Sequence, residues 1–230
     1  MFIIWLLYII NMCFNKEISL ATFIVSVITS FFFYIRNRPN DTLIAIVILT
    51  ITSMQLVEYF IWSNINNPEK NKFYTRIAKI TYTLHPIIIL IALYFFGTLN
   101  INNKILFYPI IISIFYTLYL LLDLLKTPYN ISTVGKINKH LSWNGNNKIS
   151  RNNLNTYIHI IYYGTIIILF PLLIKPFKNG VIFSLLIALT AFFSYIKTNN
   201  EVNLNDKDSW TSLWCNIGNI CGIIYYFYTK

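Results

Sequence analysis

Residues 41–62 read DTLIAIVILTITSMQLVEYFIW. Only Asp41, at the start, and Glu58, one turn before the end, carry charge. A helix rises 1.5 Å per residue, so about 20 apolar residues cover the ~30 Å of a bilayer's hydrocarbon core. This segment therefore reads as a membrane span. Further runs of about 19–22 residues lie near 18–36, 77–97, 104–125, 156–174, 179–197 and 209–228. Residues 2–14 add a shorter apolar stretch, read as a short crossing, an interfacial helix, or an upstream extension if Met12 is the real start. It lacks a basic leader, and Asn15-Lys16-Glu17 follows it instead of a small-residue cleavage site, so a cleaved signal peptide is not expected. The composition agrees, being 56% hydrophobic and only 11% charged, with a mean hydropathy of +0.57. A soluble core of this size cannot hide that much apolar surface. The expected fold is all-α: a polytopic transmembrane helical bundle of seven spans plus a short N-terminal apolar helix, forming one integral membrane domain over residues 1–230.

The connections carry the polar residues. Pro39, Pro68, Pro128 and Pro176 punctuate them, where helices must stop. Connections are expected at 36–41, 63–76, 98–103, 126–155, 175–178 and 198–208. The longest, 126–155, is rich in Asn, Lys and Ser, with Asn144-Gly145 as a turn signal. Lys70, Lys72, Arg76, Lys126, Lys136, Lys139, Lys148, Arg151, Lys197 and Lys207 fall on one side of an alternating bundle. Arg36, Arg38, Lys104, Lys175, Lys178 and Lys230 fall on the other. The richer side is expected to be cytosolic, and the 126–155 loop with it. Two glycosylation sequons, Asn40-Asp41-Thr42 and Asn130-Ile131-Ser132, then face opposite sides.

The same distribution narrows function. The net charge of +10 is spread over short connections, which orients a membrane protein and does not build a nucleic-acid surface. Cys13, Cys215 and Cys221 make no disulfide framework. No dinucleotide or phosphate-binding glycine motif and no G-x-S-x-G elbow occurs. A metal site would need His85, His159, Cys215 and Glu58 from four helices with no supporting spacing, so neither a metal nor a cofactor is expected.

Ionisable groups inside spans are costly and point to function or to helix pairing. Glu58, His85, Asp123 and His159 all fall in the cytoplasmic half of the expected topology. Gln55, Glu58 and Trp62 are spaced i, i+3, i+7 and share one helix face within about 60° of arc. An amide beside a carboxyl, one turn below an indole, can bind a donor-rich group or lock two helices. In the third span Thr81 and His85 precede Pro86, which frees a backbone carbonyl near Tyr82. The last span opens Trp210-Thr-Ser212-Leu-Trp214-Cys215-Asn216 and continues through Gly218, Asn219 and Gly222. Its small residues allow close approach of a neighbour, and its Ser and Asn either bind a ligand or hold helices.

Read from Met12, the chain has Met12-Cys13, then Ser19, Arg36-x-Arg38-Pro39-x-Asp41, Met54-Gln55-x-x-Glu58-x-x-x-Trp62 and Trp210-x-Ser212-Leu-Trp214-Cys215. It resembles a group of uncharacterised seven-helix membrane proteins of large DNA viruses, algae and bacteria. These begin Met-Cys and carry Gln-x-x-Glu-x-x-x-Trp in the second helix. The resemblance covers both ends and the spacing of the spans, and residues 1–11 depart from it. It implies a bundle and a polar site, without an activity.

Gln55, Glu58, His85, Trp210, Ser212, Cys215 and Asn216 are thus expected to converge, with Trp62, Asp123, His159, Trp214 and Asn219 as further members. The favoured reading is a non-enzymatic receptor or transporter-like bundle in a lipid bilayer, binding a small molecule or lipid and no nucleic acid. The alternatives are an intramembrane enzyme on a lipid, with Glu58 or His85 as acid or base and Cys215 as nucleophile, and a purely structural membrane protein.

Overall fold

The structure is a computed structural model and describes residues 15–98, 103–126, 131–134, 141–143, 170–200 and 210–230. Helix α1 spans Lys16–Arg36, α2 Asp41–Ser63, α3 Pro68–Phe96 and α4 Phe107–Lys126. A short 3-10 turn, Asn103–Leu106, precedes α4. A two-stranded antiparallel hairpin comes next, β1 Thr133–Val134 and β2 Leu141–Ser142, paired Thr133 to Ser142 and Val134 to Leu141. Then come α5 Phe170–Leu173, α6 Phe177–Asn200 and α7 Trp210–Tyr228.

The chain is mostly helical. Among the described residues, four helices are long and apolar enough to cross a membrane: α1, α2, α3 and Phe177–Ile196 within α6. The expectation of seven spans is therefore met only in part among the described residues. The apolar stretch of α4, Phe107–Leu122, is shorter than a full span. Residues 2–14, and 156–169 of the expected fifth span, lie outside the described residues. The hairpin forms inside the 126–155 loop, which was expected as a connection. The connection expected over 63–76 is corrected to 64–67 alone. There the Asn67 side chain accepts from the Lys70 amide at 3.1 Å and Pro68 takes the first helical turn, so α3 starts well before its apolar run. At 29 residues α3 is about 44 Å long, longer than the ~30 Å of a bilayer's hydrocarbon core, and Glu69, Lys70, Lys72 and Arg76 all lie near its start.

Polarity is arranged inside out. On α1, Ser19, Ser26, Thr29 and Ser30 are buried while Ile28, Phe31 and Phe32 are exposed. A lipid solvent favours this pattern: apolar chains lose nothing by facing it, and hydroxyls gain partners by turning inward. α2 is the central helix and packs against α1, α3 and α7.

The two ends of the bundle are built differently. At one end Arg36 donates to both Asp41 oxygens, at 2.8 and 2.6 Å, to the Tyr226 carbonyl at 2.9 Å and to Thr229 Oγ1 at 2.8 Å. Its guanidinium also lies over the Phe33 and Tyr226 rings. Asn37 and Asn40 adopt φ of 50° and 70°, a left-handed conformation that Asn tolerates, and so fold the turn between α1 and α2. The Asn40 side chain accepts from the Thr98 amide and donates to the Lys175 carbonyl, each at 2.7 Å. The first sequon's Asn is thus consumed as a brace. These contacts bring the ends of α1, α3 and α7 and the start of α2 together, as an alternating topology requires. At the opposite end the hairpin segment docks on the first turns of α3.

A seam between α1, α2 and α7 fixes the relative depth of their residues. α1 and α7 run parallel, since Ser26 Oγ bonds Asn219 Oδ1 while Arg36 reaches Tyr226 and Thr229. α2 runs antiparallel to both. Ser30 Oγ donates to the Ala45 carbonyl at 3.1 Å, Gly222 lies against Ile48, and Gly218 lies against Ile51.

Candidate polar site

Gln55 and Glu58 are both fully buried, at 0% exposure, on the central helix. Gln55 Nε2 donates to Glu58 Oε2 at 3.0 Å, the i, i+3 contact that the spacing predicts. The other carboxyl oxygen accepts from Trp143 Nε1 at 3.1 Å. Trp143 comes directly after β2, so a loop residue reaches into the bundle and clasps its buried acid. Leu141 is buried beside it.

The hairpin segment is held by a polar lock on α3. Asn71, Thr75 and Ser132 are all buried. Asn71 Oδ1 accepts from the Ser132 amide at 2.8 Å, and Asn71 Nδ2 donates to the Ser132 carbonyl at 3.0 Å. The Thr75 and Ser132 hydroxyls meet at 2.6 Å. The second sequon's Ser is therefore part of the docking contact.

His85 lies deeper. Its Nε2 is 3.2 Å from Ser53 Oγ, which itself donates to the Thr50 carbonyl at 2.7 Å. Ser53 precedes Glu58 by five residues, about 7.5 Å along the axis. Tyr82 bridges the two levels, its ring 5.9 Å from that of His85 and 6.0 Å from that of Trp143. Glu58 and His85 thus belong to one continuous buried cluster. His85 pairs near mid-helix, however, and is not confined to one half of the bundle as the sequence suggested.

Among the described residues, three buried polar atoms in this half have no hydrogen-bond partner: Ser19 Oγ, Gln55 Oε1 and Trp62 Nε1. Trp62 itself is half-buried. Trp214 and Asn219 are engaged elsewhere. Trp214 Nε1 donates to Thr190 Oγ1 of α6 at 3.3 Å. Asn219 accepts from Ser26 and donates to the Thr22 carbonyl, fastening α7 to α1. The side chains of Asp123, Trp210, Ser212, Cys215 and Asn216, and all of His159, lie outside the described residues. The backbone register of α7 against α2 puts the first turn of α7, Trp210–Leu213, near the depth of Glu58. Among the described residues no three His, Cys, Asp or Glu converge as a metal site.

Sequence reasoning missed Trp143, Tyr82 and Ser53, and it singled out Ser19 only as part of the resemblance, not as a site residue. A Trp in an otherwise polar loop, beside Leu141, was the one available signal. Comparison with protein-family models, curated protein sequences and solved structures finds no match.

Proposed function

We propose that this is a seven-crossing membrane protein of receptor or transporter type, akin to the seven-helix proteins it resembles. We place its binding site for a small molecule or lipid at the Gln55–Glu58–Trp143 cluster. The observation that carries the reading is Gln55: its amide is fully buried, one end is spent on Glu58, and Oε1 has no donor. Burying an amide oxygen without a donor costs free energy, and a ligand's N–H or O–H would recover it. Trp143 makes the loop end the natural mouth, because the hairpin is what covers Glu58.

Seven crossings are supported by where the described pieces lie. Trp143 is at the hairpin end, and Lys175 is bonded to Asn40 and Thr98 at the Arg36 end. The Lys/Arg bias supports a cytosolic hairpin end.

The test is a mass-spectrometric comparison of small molecules and lipids co-purifying with the wild type and with Glu58→Gln. A Gln at 58 can still accept from Trp143 and exchange a bond with a flipped Gln55, so the variant should fold. The expected result is a species retained by the wild type and depleted in the variant. Identical content in both would remove Glu58 from any binding site.

A further inference from the structure

Ser19 and Gln55 stand on different helices but face one seam. Near Gly222 three helices meet: a Cβ there would lie 2.6 Å from Ile48 Cδ1 of α2 and 3.5 Å from Thr29 Cγ2 of α1. Two turns of helix repeat a face every seven residues. Two turns along α2 from Ile48 toward the hairpin end lies Gln55. Two turns along α1 in the same direction from Ser26, which bonds α7, lies Ser19. The Ser30–Ala45 bond sets the depth. Counting eleven residues along each antiparallel helix puts Ser19 level with Leu56, between Gln55 and Glu58. Ser19 and Gln55 are both 0% exposed, and both Ser19 Oγ and Gln55 Oε1 lack partners.

We propose that Ser19 Oγ, Gln55 Oε1 and the Glu58 carboxyl form a binding site for a small monovalent cation of the Na+ type. All three groups offer oxygen, the ligand atom of hard cations. This differs from the His and Cys chemistry that the sequence argues against. A single carboxylate matches one positive charge, which favours a monovalent over a divalent ion. The acid is also oriented for the task. A carboxylate oxygen has two lone pairs, so each can accept its N–H, from Gln55 or Trp143, and ligate an ion as well. The Gln55 amide is turned so that nitrogen faces the carboxyl and oxygen is left for the ion. Trp62 Nε1, a donor one turn beyond Glu58, takes no part. The inference rests on reading the cluster as a binding site and names one species that it binds.

Purified protein is unfolded thermally in detergent, with Na+ replacing choline at constant ionic strength and Trp fluorescence as the readout. Wild-type Tm should rise with Na+, by about 5–10 °C at ~100-fold above Kd. Ser19→Ala should match or exceed the wild-type Tm in choline, because the hydroxyl it removes has no partner, and should lose the Na+ response. Ser26→Ala removes the bond to Asn219 and should lower Tm in both salts while keeping the response. A wild-type Tm indifferent to Na+, or a Ser19→Ala protein with the full response, overturns the site and leaves a buried water or a packing gap. No organic ligand is added, so a failed Na+ response leaves a ligand lost in Glu58→Gln standing, and a failed ligand screen leaves a Na+ response standing.

Discussion

Replacing Gly222 with Ala tests the seam on which the site depends. The added methyl would sit 2.6 Å from Ile48 Cδ1 and 3.1 Å from Ile48 Cγ1. Comfortable carbon contacts are about 3.5–4.0 Å, so the overlap approaches about 1 Å. Overpacking of this kind costs about 1–3 kcal/mol, against about 1 kcal/mol gained from the better helix propensity of Ala. Gly218→Ala is the internal control. Its methyl would be 3.8 Å from Ile51 Cγ2 and 3.9 Å from Trp214 Nε1, which is ordinary contact. Both variants gain the same propensity, so their difference isolates the overlap at about 1–3 kcal/mol in favour of Gly218→Ala. Ile48→Val removes the offending Cδ1. Alone it should cost about 0.5–1.5 kcal/mol, and combined with Gly222→Ala it should cost less or restore stability. Reversible unfolding in mixed detergent micelles, followed by Trp fluorescence, measures all four proteins. A Gly222→Ala protein as stable as Gly218→Ala, or strict additivity with Ile48→Val, would refute the close contact of α2 and α7 and the register built on it.

Trp143→Phe keeps an aromatic ring but removes the N–H that Glu58 accepts, and should destabilise by about 1–3 kcal/mol. In a Glu58→Ala background the same change should cost much less, and an equal cost in both backgrounds by thermal unfolding would break the proposed pair. Arg36→Lys retains charge but cannot reproduce the forked contact to Asp41 with simultaneous bonds to Tyr226 and Thr229. The loss should be about 1.5–3 kcal/mol in the same assay, and a wild-type Tm would show that the clasp contributes nothing.

Each sequence signal was informative only about the quantity it measures. Hydropathy located the cores of α1, α2, α3 and α6, because a bilayer imposes an apolar run of fixed length. It misplaced the start of α3, because helices begin where backbone donors find a cap, here Asn67, and lipid begins several residues later. The Gln55–Glu58 bond was legible because it is local, set by helical spacing alone. The Trp143–Glu58 and Asn71–Ser132 contacts were not, because they join residues 85 and 61 positions apart in a loop with no periodicity. The abundance of Asn in this chain also made Asn71 look like any other. Ser19 was legible only as part of the resemblance, because nothing in its sequence neighbourhood sets it apart as a site residue. Only its depth and its missing partner separate it from Ser26.

That separation is the general one between helix glue and a site. Ser26 with Asn219, Thr75 with Ser132 and the buried Trp214 with the half-buried Thr190 satisfy one another. They account for their own burial, and no ligand is needed to explain them. Ser19 Oγ, Gln55 Oε1 and Trp62 Nε1 do not. In lipid an unmet donor or acceptor has no water to fall back on, so each carries a larger cost than it would at a soluble surface. All three fall at one end of the bundle, near the depth of Glu58. A shared place, a shared depth and a carboxyl oriented by two N–H groups are what a binding site looks like before its ligand arrives.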